Sequence, residues 1–415
     1  MARSEAANTQ NTGWGLEWWY NAHFTFGVIQ NVFIPILVPT FVLETTGSAG
    51  PAGVMMAIIG LGGLAAPVIG GLADKYKAHR WAQLAALLAY VIGGVLFAFA
   101  DGSFPLYYLA SAFFGVGSAT LLMINPAFIV GAGFSQNDEA VRLTRLNQTL
   151  IVGQLVAGLG LAALTTAGLS YQARFLIMSA VALASLVLTA LTNRAAAECL
   201  ANAGAGSGTD DEPAAKKPAS PGIKTLLFSA FGLLLLAVLF GQLANTSLSG
   251  QFPTYMQQVF SVDPSLSSLT LSISSVITLI VLGLVGRWMA NSGPVPIWLT
   301  SMLMYVVTGA ALIGLSSLFD AVWAFLPLAL YVIYLQAMAW QDMVQPALAA
   351  RASTAGAATT QGFLLFAVAI SYALASIIAA DAADAFGFGI LAWIVAVGAV
   401  IAFLIGRIAV RGIRD

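Results

Sequence analysis

The chain has 415 residues, of which 59% are hydrophobic and 8% are charged, and its formal net charge is -1. Its mean hydropathy of +0.89 leaves too little polar surface to cover a water-soluble globule, so the composition predicts an integral membrane protein. The charge balance gives no indication of nucleic-acid binding, and the single cysteine, Cys199, excludes a disulfide within the chain.

The first 16 residues are polar and lack the basic-then-apolar pattern of a removable signal peptide, so we expect the first membrane span to direct insertion. Apolar runs of the roughly 20 residues needed to cross a bilayer occur twelve times. Helices are expected, because lipid offers no hydrogen-bond partners to an open backbone. The predicted spans are residues 18–42, 51–73, 81–100, 106–130, 146–168, 175–191, 226–248, 266–288, 297–318, 322–347, 359–380 and 386–405.

Basic residues separate almost completely to one side of this twelve-span arrangement, and Arg174 alone lies on the other side. Because inserting segments resist moving positive charge across the membrane, the basic side is expected to be cytoplasmic. We therefore predict a multi-pass protein of the inner (plasma) membrane with both termini in the cytoplasm. The residues on that side are Arg3, Lys75, Lys77, Arg80, Arg142, Arg145, Arg194, Lys216, Lys217, Lys224, Arg287, Arg351, Arg407, Arg411 and Arg414.

A polar segment, residues 194–224, cannot bury a core and is typical of a flexible cytoplasmic linker. It divides the chain into a tail (1–17), a six-helix bundle (18–193), the linker, a second six-helix bundle (225–407) and a tail (408–415). The end of the second span, residues 70–75, is echoed by residues 283–288 in the eighth. Two related bundles predict a cavity at their interface and alternating access by rocking.

The sequence Gly70-x-x-x-Asp74-Lys75, followed by Arg80, resembles the first signature motif of the major facilitator superfamily. The resemblance implies an all-α fold of twelve transmembrane helices in two six-helix bundles related by pseudo-two-fold symmetry. It also implies that Asp74 pairs with basic groups and a helix end across the domain interface, as a latch of the outward-facing state. The alternative is that Asp74 and Lys75 merely end a helix at the lipid headgroups.

A second resemblance, to the fucose and glucose proton symporter branch of that superfamily, rests on Asn125-Pro126 and on the Asn147-Gln148-Thr149 stretch that enters span five. Members of that branch commonly have an acidic residue shortly before the asparagine-proline pair. Here residues 121–123 are Leu-Leu-Met, so the likeness implies kinship more than a shared substrate.

Polar residues inside the spans are costly in lipid and are expected to face a cavity. In span ten, Met338, Gln341, Asp342 and Gln345 fall within an arc of about 100° at helical spacing. We predict that amide side chains contact the substrate, because they both donate and accept hydrogen bonds, and that Trp340 stacks on a ring unless it serves only packing. The predicted amide contacts are Gln341, Gln345, Gln242, Asn245, Asn125, Asn147 and Gln30.

Asp342 is the only acidic residue well inside a predicted span, which makes it the preferred proton carrier. The alternative is a structural carboxylate that is hydrogen-bonded to neighbouring helices or paired with Arg351. His23 is the second candidate for proton coupling.

No predicted span has a central Arg or Lys, which disfavours strongly anionic cargo, and span five lacks the glycine-proline pair typical of drug-proton antiporters. Phosphate loops, zinc motifs and catalytic triads are also missing from the sequence, so we expect no enzyme activity, no cofactor and no metal. We predict a proton-coupled importer of a small neutral or weakly charged polar solute, working as a monomer. The alternatives are an exporter of amphipathic compounds and a non-transporting membrane assembly factor.

Overall fold

The structure, a computed structural model, describes residues 16–46, 50–203, 223–262, 264–319 and 322–411. Within these ranges the chain runs as a series of helices joined by short turns. We number the α-helices α1 (Asn21–Val28), α2 (Ile34–Thr46), α3 (Gly50–Leu61), α4 (Ala66–Tyr76), α5 (His79–Phe99), α6 (Phe104–Val130), α7 (Gln136–Thr166), α8 (Tyr171–Thr192), α9 (Arg194–Ala203), α10 (Ile223–Leu227), α11 (Ala230–Ser249), α12 (Phe252–Phe260), α13 (Pro264–Ser292), α14 (Pro294–Leu318), α15 (Phe325–Ala352), α16 (Ala357–Phe386) and α17 (Ile390–Val410).

Eleven helical segments among the described residues are long and apolar enough to cross a membrane. The 28-residue helix α15 is not one of them, although the sequence predicts its tenth span there. The reason lies in its composition, because α15 carries three glutamines and Asp342, all of which lower its hydropathy. The helix that falls short of membrane-like composition therefore carries four polar side chains within residues 336–345.

The helix ends differ from the predicted span boundaries at several points, and two of these differences have a clear local cause. Phe386 ends α16 instead of opening the twelfth span, because Gly387 takes a φ of 78°, a backbone conformation that glycine adopts without strain. The fifth span was expected to begin at residue 146, but α7 begins at Gln136. This early start is stabilised by Ser135, whose side chain caps the helix by accepting a hydrogen bond from the amide of Asp138 at 3.2 Å.

The chain divides into two compact units, the first comprising residues 1–219 and 355–366 and the second residues 220–354 and 367–415. The first turns of α16 thus pack with the N-terminal unit. The predicted linker begins with helix α9, in which an ion pair joins Arg194 and Glu198 at 2.8 Å and Leu200 is buried. The rest of that linker up to residue 222 lies outside the described residues.

Close helix packing in the first unit depends on glycines. A Cβ on Gly153 of α7 would lie 2.2 Å from the carbonyl oxygen of Phe24, and one on Gly27 of α1 would lie 2.2 Å from the carbonyl oxygen of Leu150. Only a residue without a side chain fits at either position. This reciprocal contact brings α1 and α7 together as small residues do in membrane helix pairs.

The first span is not a regular α-helix. It opens with a single 3-10 turn, Trp18–Tyr20, and a π-helical segment, Ile29–Phe33, separates α1 from α2. Short π-helical segments inside α-helices are frequent at functional sites. Gln30, a predicted substrate contact, lies in this segment.

Candidate functional site

Helix α15 carries a group of buried polar side chains that lack partners. Within the part of the chain that the structure describes, no hydrogen bond reaches Nε2 or Oε1 of Gln341, Nε2 of Gln345 or Nε1 of Trp340. Gln341 is 0% exposed and Gln345 is 4% exposed, so these atoms are not left to bulk water. Each unsatisfied polar group costs about 1–3 kcal/mol, and such groups call for a partner such as bound water or a ligand.

Asp342 lies between these two glutamines in the sequence, yet its side chain is exposed while those of Gln341 and Met343 are buried. A carboxylate in the interior of a membrane helix is costly unless it faces the protein interior or a watery space. Its accessibility makes this carboxylate a candidate for proton exchange.

Polar groups on α11 lie next to Asp342. Asn245 donates from Nδ2 to Oε1 of Gln242 at 3.1 Å, which leaves the Gln242 amide nitrogen facing the Asp342 carboxylate. On α15, the hydroxyl of Tyr334 donates to the backbone oxygen of Asn245. The predicted contacts Gln242 and Asn245 are therefore brought together with Asp342, and Tyr334 is a supporting residue that sequence reasoning missed.

Gln341 points towards α11 as well. A Cβ added to Gly241 would lie 3.3 Å from Nε2 of Gln341 and 3.1 Å from Sδ of Met302. The glycine thus gives the unpaired amide its space next to α11. The second unit therefore gathers Gln341, Gln242 and Asp342 at the facing sides of α11 and α15.

In the first unit, the predicted residues His23 and Asn125 belong to a buried hydrogen-bonded chain. Nδ2 of Asn125 lies 3.1 Å from Nδ1 of His23, and Oδ1 of Asn125 accepts a hydrogen bond of 2.7 Å from Gln83. Gln83 in turn accepts from Asn193 at 2.9 Å, and Arg80 donates to Asn193 at 3.1 Å. Sequence reasoning missed Gln83 and Asn193, although Gln83 follows Arg80 by one helical turn and is the only amide in α5.

The two other predicted contacts in this unit also have protein partners. Gln30 accepts a hydrogen bond from the hydroxyl of Ser118, which in turn lies 2.9 Å from the hydroxyl of Tyr90. Asn147 donates to the backbone oxygen of Leu143 in its own helix at 2.9 Å. Neither amide is unsatisfied in the way that Gln341 is.

Asp74, at the end of α4, holds the N-terminus of α16 within the same unit. Its carboxylate accepts hydrogen bonds from the backbone amides of Ala358, at 3.2 Å, and Thr359, at 2.7 Å. The Thr359 hydroxyl donates at 2.6 Å, and Nε2 of His79 lies 2.9 Å away. A carboxylate at a helix N-terminus neutralises the positive end of the helix dipole and satisfies amides that have no partner within the helix.

The rest of the predicted gating motif has varied surroundings. A Cβ on Gly70 would lie 2.3 Å from the carbonyl oxygen of Ala358, so this glycine permits α4 to approach the start of α16. Lys75 is exposed, with its ammonium 5.1 Å from the centre of the Tyr76 ring. Arg80 donates hydrogen bonds to Asn193 and, at 2.9 Å, to the backbone oxygen of Ala190. The basic side chain next to Asp74 is His79.

A family model described as Major Facilitator Superfamily matches residues 20–380. The chain belongs to the major facilitator superfamily. The match covers both groups of polar residues, so the all-α, twelve-helix fold expected from the sequence is confirmed, and the protein is a multi-pass membrane transporter of this superfamily. Such transporters bind small-molecule substrates and are typically carriers without enzyme activity.

Solved structures of this superfamily resemble the whole chain. A bacterial homologue of the iron transporter ferroportin in an outward-facing state has a TM-score of 0.74 at 14% identity, covering 95% of this chain and 98% of its own. A variant of the E. coli fucose:proton symporter FucP has a TM-score of 0.68 at 16% identity, covering 94% and 97%. The proton:xylose symporter XylE bound to 6-bromo-6-deoxy-D-glucose has a TM-score of 0.64 at 17% identity, covering 93% of each chain. No curated protein sequence matches.

Proposed function

We propose that this superfamily member is a proton-coupled symporter that imports a small, neutral or weakly charged polar organic solute across the inner membrane by alternating access. The observation that carries the proposal is the pairing, on α15, of unsatisfied buried amides with an accessible carboxylate. The amides are suited to a solute with several hydroxyl or amide groups, and the carboxylate is suited to a proton.

The chemistry of the donors and acceptors favours neutral cargo. Gln341 offers both a donor and an acceptor, and Gln345 offers a further donor. Trp340, whose indole nitrogen is also unpaired, supplies a flat apolar surface beside them. A hydroxyl-bearing ring would satisfy these groups, and each hydrogen bond formed would remove a penalty that the empty protein bears.

Asp342 is the proposed proton carrier. It combines accessibility with proximity to Gln242, and Gln242 lies one residue from Gly241, against which Gln341 packs. A change in the protonation of Asp342 would therefore alter the hydrogen bonds of a side chain adjacent to the substrate amides. This proximity links proton binding to solute binding. The structural similarity to two proton symporters supports proton symport as the mode of transport.

Asp74 is proposed to act as the cytoplasmic latch. Four groups converge on its carboxylate, and three of them belong to the start of α16. The basic residues at the ends of the predicted spans support cytoplasmic placement of this contact and of both termini. Release of the N-terminus of α16 would then accompany the change of access. The proposal treats the monomer as the transporting unit.

Identifying the solute is the first test. Purified protein would be screened by thermal shift against sugars, polyols, amino acids, nucleosides and drugs, because a ligand that binds the native state raises its apparent stability. The proposal expects stabilisation by neutral hydroxyl-bearing compounds. The variant Gln341→Leu should lose the shift, whereas Asn147→Leu, whose amide bonds its own helix, should keep most of it.

Uptake by proteoliposomes then separates the proposed symporter from the alternatives. With an alkaline interior, a symporter accumulates the identified solute above its external concentration. Stabilisation only by amphipathic drugs, with transport directed out of cells, would instead favour the exporter. A protein that changes conformation without moving any tested solute would favour the assembly factor.

A further inference from the structure

The buried amides of the first unit form a hydrogen-bonded chain with a defined direction. Arg80 stands at one end and His23 at the other, and Asn193, Gln83 and Asn125 lie between them. All three amides are 0% exposed, and His23 is 2% exposed. No bulk water is therefore available to replace a member whose orientation is wrong.

The direction follows from Arg80, because a guanidinium donates hydrogen bonds and never accepts one. Its Nε meets Asn193, so the atom of Asn193 that it meets must be the oxygen. The nitrogen of Asn193 then faces Gln83, which must present its own oxygen. Each amide of the hydrogen-bonded chain must therefore present its oxygen on the side of Arg80 and its nitrogen on the side of His23.

The orientation of these amides also fixes which nitrogen of the His23 imidazole carries the proton. Gln83 has used its oxygen, so its nitrogen donates to Oδ1 of Asn125 at 2.7 Å. The remaining nitrogen of Asn125 is left to donate to Nδ1 of His23 at 3.1 Å. A ring nitrogen that accepts a hydrogen bond carries no proton, so the proton of His23 must lie on Nε2.

We infer that Arg80 is a positioning residue that fixes His23, through three amides, as the neutral tautomer with the proton on Nε2. His23 then serves as a permanent hydrogen-bond donor on α1 and does not carry the transported proton. Protonation of Nδ1 would break the bond to Asn125 or force all three amides to turn over. The tautomer follows from this geometry alone; its consequence, that Asp342 is left as the proton carrier, rests on the proposed function.

A single substitution should reverse the donor-to-acceptor direction of this hydrogen-bonded chain. In the variant Asn193→Asp, the carboxylate accepts from Arg80 but has no proton for Gln83. Gln83 must then turn its nitrogen towards residue 193 and its oxygen towards Asn125, and Asn125 must present its oxygen to His23. The imidazole can meet that oxygen only with a proton on Nδ1. One substitution three side chains away should therefore switch the tautomer.

Nitrogen-15 NMR of the full-length protein labelled at histidine tests the inference, and the sequence suits it because the chain has only two histidines, His23 and His79. The variant His79→Asn assigns the His23 signals. At neutral pH, wild type should show a pyridine-type Nδ1 and a pyrrole-type Nε2 at His23. Asn193→Asp should exchange the two types. Arg80→Lys, which retains a fixed donor, should keep the wild-type pattern.

Asn147→Asp is the matched control, because it introduces the same charge into the same unit at an amide outside the chain. It should leave His23 unchanged. A wild-type His23 with a pyrrole-type Nδ1, or with both nitrogens protonated, would overturn the inference even if Asn193→Asp does not fold. A folded Asn193→Asp variant with an unchanged tautomer would overturn it too. None of these spectra depends on transport, so they stand or fall separately from the proposed function.

Discussion

The side-chain amide of Gln242 on α11 lies next to the carboxylate of Asp342 on α15. Asn245 fixes the orientation of Gln242 by donating to its oxygen at 3.1 Å. The carboxylate therefore has a polar neighbour on a second helix while its side chain remains accessible. Asp342 and the unpaired amide of Gln341, adjacent in sequence, meet the same helix, and that arrangement is the basis for the proposed coupling.

Gln341→Leu should weaken binding of the identified solute without lowering the stability of the empty protein. Both polar atoms of Gln341 are unsatisfied among the described residues, so leucine removes a penalty and not a bond. Loss of its contacts to solute should raise the Kd about tenfold, as expected for one or two hydrogen bonds. Thermal unfolding with and without solute measures both effects.

Gln336→Leu is the control for that substitution, because it is the same change on the same helix at an amide whose nitrogen has protein partners. Nε2 of Gln336 donates to the hydroxyls of Ser274, at 3.2 Å, and Thr278, at 3.0 Å. This variant should lose about 1 kcal/mol of stability and retain its affinity. Equal loss of affinity in both variants would argue against direct contact by Gln341.

Gly153→Ala should destabilise the first unit by about 1–3 kcal/mol, the usual cost of overpacking. The added Cβ would lie 2.2 Å from the backbone oxygen of Phe24, which cannot move aside as a flexible side chain would. Gly158→Ala, in the same helix, places its Cβ in open space and should be neutral. Thermal unfolding of the two variants in one detergent gives the comparison, and equal melting temperatures would contradict the packing described for α1 and α7.

Asp74→Asn should slow transport while leaving solute affinity nearly intact. The amide keeps the size of the side chain but loses the charge that pairs with the N-terminus of α16, and its own nitrogen would face the donors of Thr359. Initial uptake rates and equilibrium binding separate the two effects. A large loss of affinity would show that Asp74 belongs to the binding site instead.

Asp138→Asn provides the control for Asp74. It removes the same charge at the start of another helix, where the Asp138 carboxylate accepts a hydrogen bond from the hydroxyl of its own cap, Ser135, at 2.8 Å. Uptake by this variant should match wild type. A similar slowing in both variants would attribute the effect of Asp74→Asn to surface charge.

The helices were largely predictable because hydrocarbon demands a continuous apolar run from each spanning segment. The errors occurred where something other than hydropathy sets the boundary: the cap at Ser135 for α7 and the positive φ of Gly387 for α16. The irregular backbone of Ile29–Phe33 was not predictable either, since its sequence, Ile-Gln-Asn-Val-Phe, is equally compatible with an ordinary α-helix.

Polar residues within spans identified Asp342, Gln341 and Gln242, because each is costly in lipid wherever it points. Their hydrogen-bond partners were harder to foresee. Asn193 closes the buried chain from a position just beyond the predicted sixth span, at the C-cap of α8, where a polar residue is common. Pairings between distant helices depend on tertiary structure and leave no local pattern.

Accumulation of the identified solute by proteoliposomes with an alkaline interior, compared between wild type and Asp342→Asn, tests the central claim most directly. Wild type and Asp381→Asn, a control at an exposed aspartate of α16, should concentrate the solute above its external level. Asp342→Asn should bring it only to equilibrium while still exchanging it across the membrane. Accumulation by Asp342→Asn equal to that of wild type would contradict the assignment of Asp342 as the proton carrier.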